Sequence, residues 1–294
     1  MNVYRTPESR FAGLPDYSFA PHHADLGGLR MHYVDEGSGD PILLLHGEPT
    51  WSFLYRWMIP PLAAVARVVA PDYIGFGRSD KPVEREWYSY DAHYQSVERL
   101  VERLELRRLT VVMQDWGGPI GARLAAMQPD RIVRLVVMNT GFYSGRPPSE
   151  TWLRFRELVR RTGTDFDPGR LIQLTCVRDL GDDEVAAYNA PFPTPESKTG
   201  VLMFPELVPT EADHPSAAAM LRVREALRSW HKPTLVLFGD SDPIFSVRVA
   251  ERIAALIPGA ETAQTVPNAG HFLQEDAGEE VGSRIADWLK KSGF

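Results

Sequence analysis

Apolar positions along this chain follow two rhythms that take turns. Nearly unbroken apolar runs occupy residues 41–45, 67–72, 109–113, 132–138 and 233–239, with a shorter one at 261–266. Runs of this length, rich in Val, Ile and Leu, read as strands buried on both faces, the habit of a parallel sheet. Residues 29–34 alternate weakly before the turn cluster Asp35-Glu36-Gly37-Ser38-Gly39-Asp40 and read as an outer hairpin strand. Between the runs the spacing changes to three and four. Residues 91–106 put Val97, Leu100, Val101 and Leu104 on one helical face, 120–127 keep the same period, and 279–291 form an amphipathic terminal helix. Residues 51–64 also read as helix, broken or kinked by Pro60-Pro61. Asp242-Pro243 reads as the start of a helix reaching about residue 257.

Strand and helix alternate up to residue 141, which predicts an α/β chain on a doubly wound, mostly parallel sheet. The alternation then stops. Residues 142–230 are helix-like and loop-rich, interrupted by Pro147-Pro148 and by the proline-rich stretch 190–195, and show no strand pattern. They read as a helical insertion over the carboxyl edge of the sheet, where open α/β sheets bind ligands. The expected division is a core of residues 1–141 and 231–294 with a cap, or lid, of 142–230.

Composition narrows the partners. The length of 294 residues suffices for one such domain with its insertion. A net charge of -7 argues against nucleic acid, because phosphate binding needs a basic patch. No apolar run is long enough to span a bilayer, so no membrane role is expected. Residues 1–11 carry charges and a proline instead of an apolar signal core. Cys176 is the single cysteine, so no intramolecular disulfide can form. The expected location is the cytoplasm.

The candidate chemistry sits where apolar runs end. The run 109–113 stops at Gln114-Asp115-Trp116-Gly117-Gly118 and helical spacing resumes at once. Strand, tight turn and helix in that order lift the apex side chain above the sheet edge. Taken alone, Asp115 reads more readily as a helix cap than as a nucleophile. Asp242 follows the run 233–239, and His271 follows 261–266. Alone, each has a plain structural reading, a cap and a loop histidine. Together the three strand ends give nucleophile, acid and histidine in the chain order of an α/β-hydrolase triad. Asp240 competes with Asp242 as the acid, and Asp242 is preferred because it opens a helix. Asn139, after 132–138, carries no carboxylate.

These residues also carry a resemblance. His46-Gly47-Glu48-Pro49-Thr50-Trp51-Ser52, Gly75-Phe76-Gly77-Arg78-Ser79-Asp80-Lys81-Pro82, Gln114-Asp115-Trp116-Gly117-Gly118 and Ala269-Gly270-His271-Phe272 together resemble the haloalkane dehalogenases of the α/β-hydrolase fold. The likeness covers nearly the whole chain. Asp242 stands where one branch has its acid, after the seventh strand, and residues 187–193 resemble the cap of that branch. The resemblance implies Asp115 as nucleophile, His271 as base and Asp242 as acid, with Glu48 and Trp116 beside the oxyanion and halide sites. Asp115 would displace halide from carbon and become an alkyl ester, which water activated by His271 would hydrolyse. The backbone N–H groups of Trp116 and Glu48 would serve the oxyanion, and the Trp116 indole N–H, a donor only, would suit a halide. Plain readings are packing for Trp116 and a solvated loop charge for Glu48. No metal and no organic cofactor is implied. The partners would be a small halogenated organic substrate, water and halide, with the protein a monomer or small homo-oligomer.

One position departs from the pattern. The family supplies a second halide donor, in this branch a cap tryptophan, and alignment by eye places Phe155 there. Trp152 lies one helical turn earlier and is the candidate to replace it or to pack in the cap. An epoxide hydrolase is the alternative function, using the same Asp115 nucleophile with acidic hydroxyls such as Tyr143 and Tyr188. A non-catalytic ligand-binding α/β-hydrolase is the alternative from another class, disfavoured by an intact triad.

Overall fold

In a computed structural model, which describes residues 1–293, the apolar runs become strands of one eight-stranded sheet. The strands are β1 (His22–Asp25), β2 (Arg30–Gly37), β3 (Pro41–Leu45), β4 (Arg67–Pro71), β5 (Leu109–Gln114), β6 (Ile132–Met138), β7 (Thr234–Gly239) and β8 (Gln264–Val266). Their order is β8-β7-β6-β5-β3-β4-β2-β1. β3 to β8 run parallel to one another, and β2 and β1 close one side antiparallel. The order reverses around β3, which has β4 on one side and β5 on the other. That reversal opens a crevice at the carboxyl ends of the strands.

Period two divides each run between two cores. Leu43, Leu45, Val111, Met113, Leu135 and Val137 enter one apolar cluster; Ile42, Leu44, Val112, Val136 and Met138 enter the other. Helices α2 (Tyr90–Arg103) and α3 (Gly117–Met127) cover the first face with Val97, Leu100, Ile120 and Leu124. The short α1 (Ile59–Ala63) and the terminal α10 (Leu273–Lys291) cover the second with Ile59, Leu62, Val281, Ile285 and Leu289. Each such buried side chain contributes roughly 1.5–3 kcal/mol, so the sheet ends are held rigidly. Between β6 and β7 the chain forms α4 (Glu150–Thr162), α5 (Pro168–Thr175), α6 (Asp182–Asn189), α7 (Thr199–Met203) and α8 (Ala217–Leu227), with no strand among the described residues. α8 packs against α3 and shares its apolar cluster through Met220 and Val223. A further helix, α9 (Val247–Leu256), follows β7.

Several expected boundaries move, each for a local reason. β2 runs on through Asp35-Glu36-Gly37, which pair with Val69, Val68 and Arg67, and the Arg67 guanidinium grips Asp35 at 2.8 and 2.6 Å. β1 carries one buried residue, Ala24, too faint a pattern to read. Residues 51–64 are not one kinked helix. They form a 3₁₀ turn, Ser52–Tyr55, and then α1, whose first turn holds Pro60 and Pro61 where a missing N–H costs nothing. Asp242 does not open a helix either. α9 begins at Val247, and Asp242 instead closes a tight turn on the Ile244 and Phe245 N–H groups. β8 starts at Gln264, three residues late, and α10 starts six residues early at Leu273, with a kink at Ala277.

Candidate active site

The elbow is built by close approach. β3 and β5 lie side by side with Leu45 opposite Met113, so the loops after them emerge together. Asp115 sits at the apex with φ 48°, a left-handed conformation uncommon outside glycine. Three bonds fix its backbone: its N–H donates to Asn139 O at 3.0 Å, and its carbonyl accepts from Gly118 N at 2.9 Å and Thr140 Oγ1 at 2.6 Å. A Cβ at Gly117 would stand 2.1 Å from the Leu45 carbonyl oxygen. One at Gly47 would stand 2.4 Å from the Asp115 Cβ. Neither turn could form with a larger residue.

Three predicted side chains converge. His271 Nε2 lies 3.7 Å from Asp115 Oδ2, and its Nδ1 lies 3.0 Å from Asp242 Oδ2. The first distance is beyond a good hydrogen bond and the second is within one. Asp242 is completely buried in its side chain, and two backbone donors occupy its Oδ1, leaving Oδ2 for the imidazole. Asp240 is exposed and accepts only from its neighbour Ser241, so it plays no part. Burial opposes charge on His271. The Asp242 and Asp115 carboxylates outweigh it and raise the ring to about 10.

Glu48 is not a solvated loop charge. It is buried, with Oε1 lacking a protein partner, and its backbone N–H donates to Asp115 Oδ1 at 2.9 Å. Burial pushes its carboxyl well above the usual range, and the nearby Asp115 charge pushes it further, against the pull of His271. The expected second donor, the Trp116 N–H, makes no hydrogen bond to the Asp115 carboxylate among the described residues. His46 fixes the loop: Nε2 accepts from Tyr73 N at 3.0 Å while Nδ1 donates to Gly47 O at 2.7 Å. Burial lowers that ring to about 4, so it stays neutral.

Two residues support the base in ways their sequence positions did not reveal. Asn139 Nδ2 donates to the Gly270 and His271 carbonyls at 2.7 and 3.1 Å, and its Oδ1 accepts from Gly239 N at 2.9 Å. It pins the ends of β6, β7 and the histidine loop together. Gln114 Nε2 donates to His271 O at 3.2 Å and lies 3.5 Å from His271 Nε2. The signal was a polar residue closing an apolar strand, completely buried in the fold.

Asp115 opens into a cavity of about 380 Å³ walled by Trp116, Pro119, Phe142, Met220, Phe245 and Ile253, among others. The Trp116 ring is buried and meets Phe204 edge-on at 5.1 Å. Trp152 is on the cavity wall. Phe155, expected to face the pocket, packs instead against the apolar core. The two tyrosines separate as well. Tyr143 lines the cavity, whereas Tyr188 is completely buried and donates its hydroxyl to Glu275.

Known proteins share this arrangement. A model of the alpha/beta hydrolase fold matches residues 40–278. A haloalkane dehalogenase of Mycobacterium marinum is 44% identical, over 98% of this chain and 100% of that one. One of Psychrobacter cryohalolentis is 42% identical, over 98% of each. Among solved structures, the tetrameric haloalkane dehalogenase DpaA from Paraglaciecola agarilytica superposes with a TM-score of 0.91 at 38% identity, over 97% of each chain. Sheet order, elbow and full-length similarity agree: the chain belongs to the haloalkane dehalogenases of the α/β-hydrolase fold, hydrolases that act on carbon–halide bonds.

Proposed function

We propose that this protein hydrolyses haloalkanes to an alcohol and halide through a covalent ester on Asp115. The observation that carries this is the line from Asp115 through His271 to Asp242, with 3.7 Å on one side of the imidazole and 3.0 Å on the other. Asp115 Oδ2 faces the His271 imidazole at 3.7 Å. It attacks the halogen-bearing carbon in line, and halide departs toward the Trp116 indole. Esterification removes the Asp115 charge, one of the two that raise His271, so the ring becomes less basic and surrenders its proton. Neutral Nε2 then takes a proton from water, whose oxygen attacks the Asp115 carbonyl carbon. The developing oxyanion at Oδ1 meets the Glu48 N–H. Collapse expels the alcohol and restores the carboxylate. The buried Glu48 carboxyl, whose ionisation burial and the Asp115 charge oppose, has an oxygen, Oε1, without a partner among the described residues with which to orient that water.

In this reading residues 142–230 act as the lid over a core of 1–141 and 231–294, with α8 as its anchor on α3. The enzyme works in the cytoplasm without metal or organic cofactor, as a monomer or small homo-oligomer. The Paraglaciecola relative is tetrameric. An epoxide hydrolase would need acidic hydroxyls over Asp115. Glu275 holds Tyr188 away, leaving Tyr143, which weighs against that alternative.

The test is halide release from brominated and iodinated alkanes beside diol formation from terminal epoxides. Halide release that vanishes in Asp115→Ala supports the reading. Diol without halide would replace it with epoxide hydrolysis, and silence on both panels would return the fold to a binding role.

A further inference from the structure

The cavity over Asp115 is chemically two-ended. Its deep wall is apolar, formed by Trp116, Phe245 and Ile253 and their neighbours. Its outer wall carries three guanidinium groups, Arg146, Arg224 and Arg252, from three separate segments: the loop before α4, helix α8 and helix α9. Arg146 and Arg252 are exposed and Arg224 half-buried, which puts their charges at the mouth. Arg146 and Arg252 have no ion-pair partner among the described residues, and Arg224 has only a distant one, Glu225 at 3.8 Å. Among the described residues no carboxylate other than Asp115 itself lines the cavity. This is a basic mouth on a chain whose net charge is -7. Charges of one sign at the rim of a low-dielectric cleft focus their field on whatever enters.

We infer that the substrate is an anionic amphiphile, a haloalkyl chain ending in a carboxylate. This rests on the dehalogenase reading and adds its substrate class. The halogen-bearing carbon descends along the apolar wall to Asp115. The carboxylate stays at the rim, where guanidinium groups match it in charge and in planar donor geometry. The intervening methylenes separate the substrate's charge from that of the nucleophile. Arginines spread over three segments surround the rim without any one of them needing to be buried.

The experiment compares 6-bromohexanoate with the neutral 6-bromohexanamide and the cationic 6-bromohexylamine. Bromide release by the full-length enzyme is followed at low and high ionic strength. The expected kcat/KM order is carboxylate, amide, amine, with the carboxylate ahead of the amide by about tenfold at low salt. Salt should shrink that ratio toward one, because screening acts on exposed charges. In the triple variant Arg146→Gln, Arg224→Gln, Arg252→Gln the ratio should fall to about one. A ratio taken on a single preparation is insensitive to the fraction of folded enzyme. Equal turnover of carboxylate and amide by the wild type would overturn the inference while leaving the dehalogenase reading intact. So would a preference that survives the triple variant. Absence of bromide from all three compounds would overturn the dehalogenase reading on which it rests.

Discussion

The two walls of the pocket are held in opposite ways. On the sheet wall, the Asp115 backbone is bound to the end of β6, Asp242 Oδ1 is held by the Ile244 and Phe245 N–H groups of its own turn, and Asn139 ties the end of β7 to the Gly270 and His271 carbonyls. On the outer wall, Arg146 and Arg252 are exposed and without an ion pair among the described residues, and Trp152 is half-buried. The insertion itself divides the same way. α5 and α6 are stapled to the core: Arg56, fully buried, grips Glu275 at 2.5 and 2.8 Å and Glu184 at 2.6 Å, Arg178 grips both acids, and Tyr188 caps Glu275. Among the described residues α4 has one exposed ion pair within itself, Arg154 with Glu150, and one to the rest of the insertion, Arg160 with Glu206. In the proposed reading, reaction chemistry resides in the over-determined wall and substrate choice in the lightly held one.

The largest expected effect comes from the rigid wall. Asp115→Ala should reduce halide release by at least ~10⁴-fold, the scale of losing a covalent nucleophile. His271→Gln should release one equivalent of halide per site and then stop, leaving an alkyl adduct on Asp115 that mass spectrometry detects. Full turnover in that variant would break the two-step scheme.

The same histidine links the site to stability. Its folded value, about 10, lies above the ordinary 6.5, so its stabilising contribution is complete below pH 6.5 and disappears as pH climbs through 10. Between those values the wild-type Tm should fall more steeply than that of His271→Gln, as calorimetry would record.

Smaller effects separate the halves of the insertion. Arg56→Met strands the Glu275 carboxylate in the interior with part of its network gone, and should destabilise by about 3–5 kcal/mol in urea unfolding. Arg154→Gln, on exposed α4, should leave the unfolding midpoint unchanged. Smallest of all, Trp152→Phe should change kcat/KM by less than about tenfold and Phe155→Leu by less still, because only Trp152 touches the cavity. A larger loss at Phe155 would reverse that assignment.

The triad was legible because each member follows an apolar run, and a parallel sheet brings such ends to one edge. Asp242 does lie beside the imidazole, though it does not open a helix as expected. Its turn with Ile244 and Phe245 resembles a helix start in sequence, since both use an Asp oxygen to accept backbone N–H groups. Glu48 could be placed beside the nucleophile, but nothing local showed that it would be buried and its carboxyl pushed above the usual range. Asn139 was set aside for lacking a carboxylate, when its amide does the clamping. Arg56 and Glu275 stand far apart in the chain and meet only in the folded protein, beyond the reach of any periodicity. Residues 142–230 stood out by the lack of a strand pattern, and for that reason their side-chain directions could not be read.

The loop carrying His271 hangs from the insertion as well as from the sheet. The His271 N–H donates to Thr175 O at 2.9 Å at the end of α5, and Asp276 binds Gly270, Val177 and Arg178 backbone donors together. That junction behaves as an interlock. Any displacement of α5 would therefore carry the histidine loop with it and pull the base out of line with Asp115. Anything that pries α5 upward would idle the enzyme without ever entering its pocket.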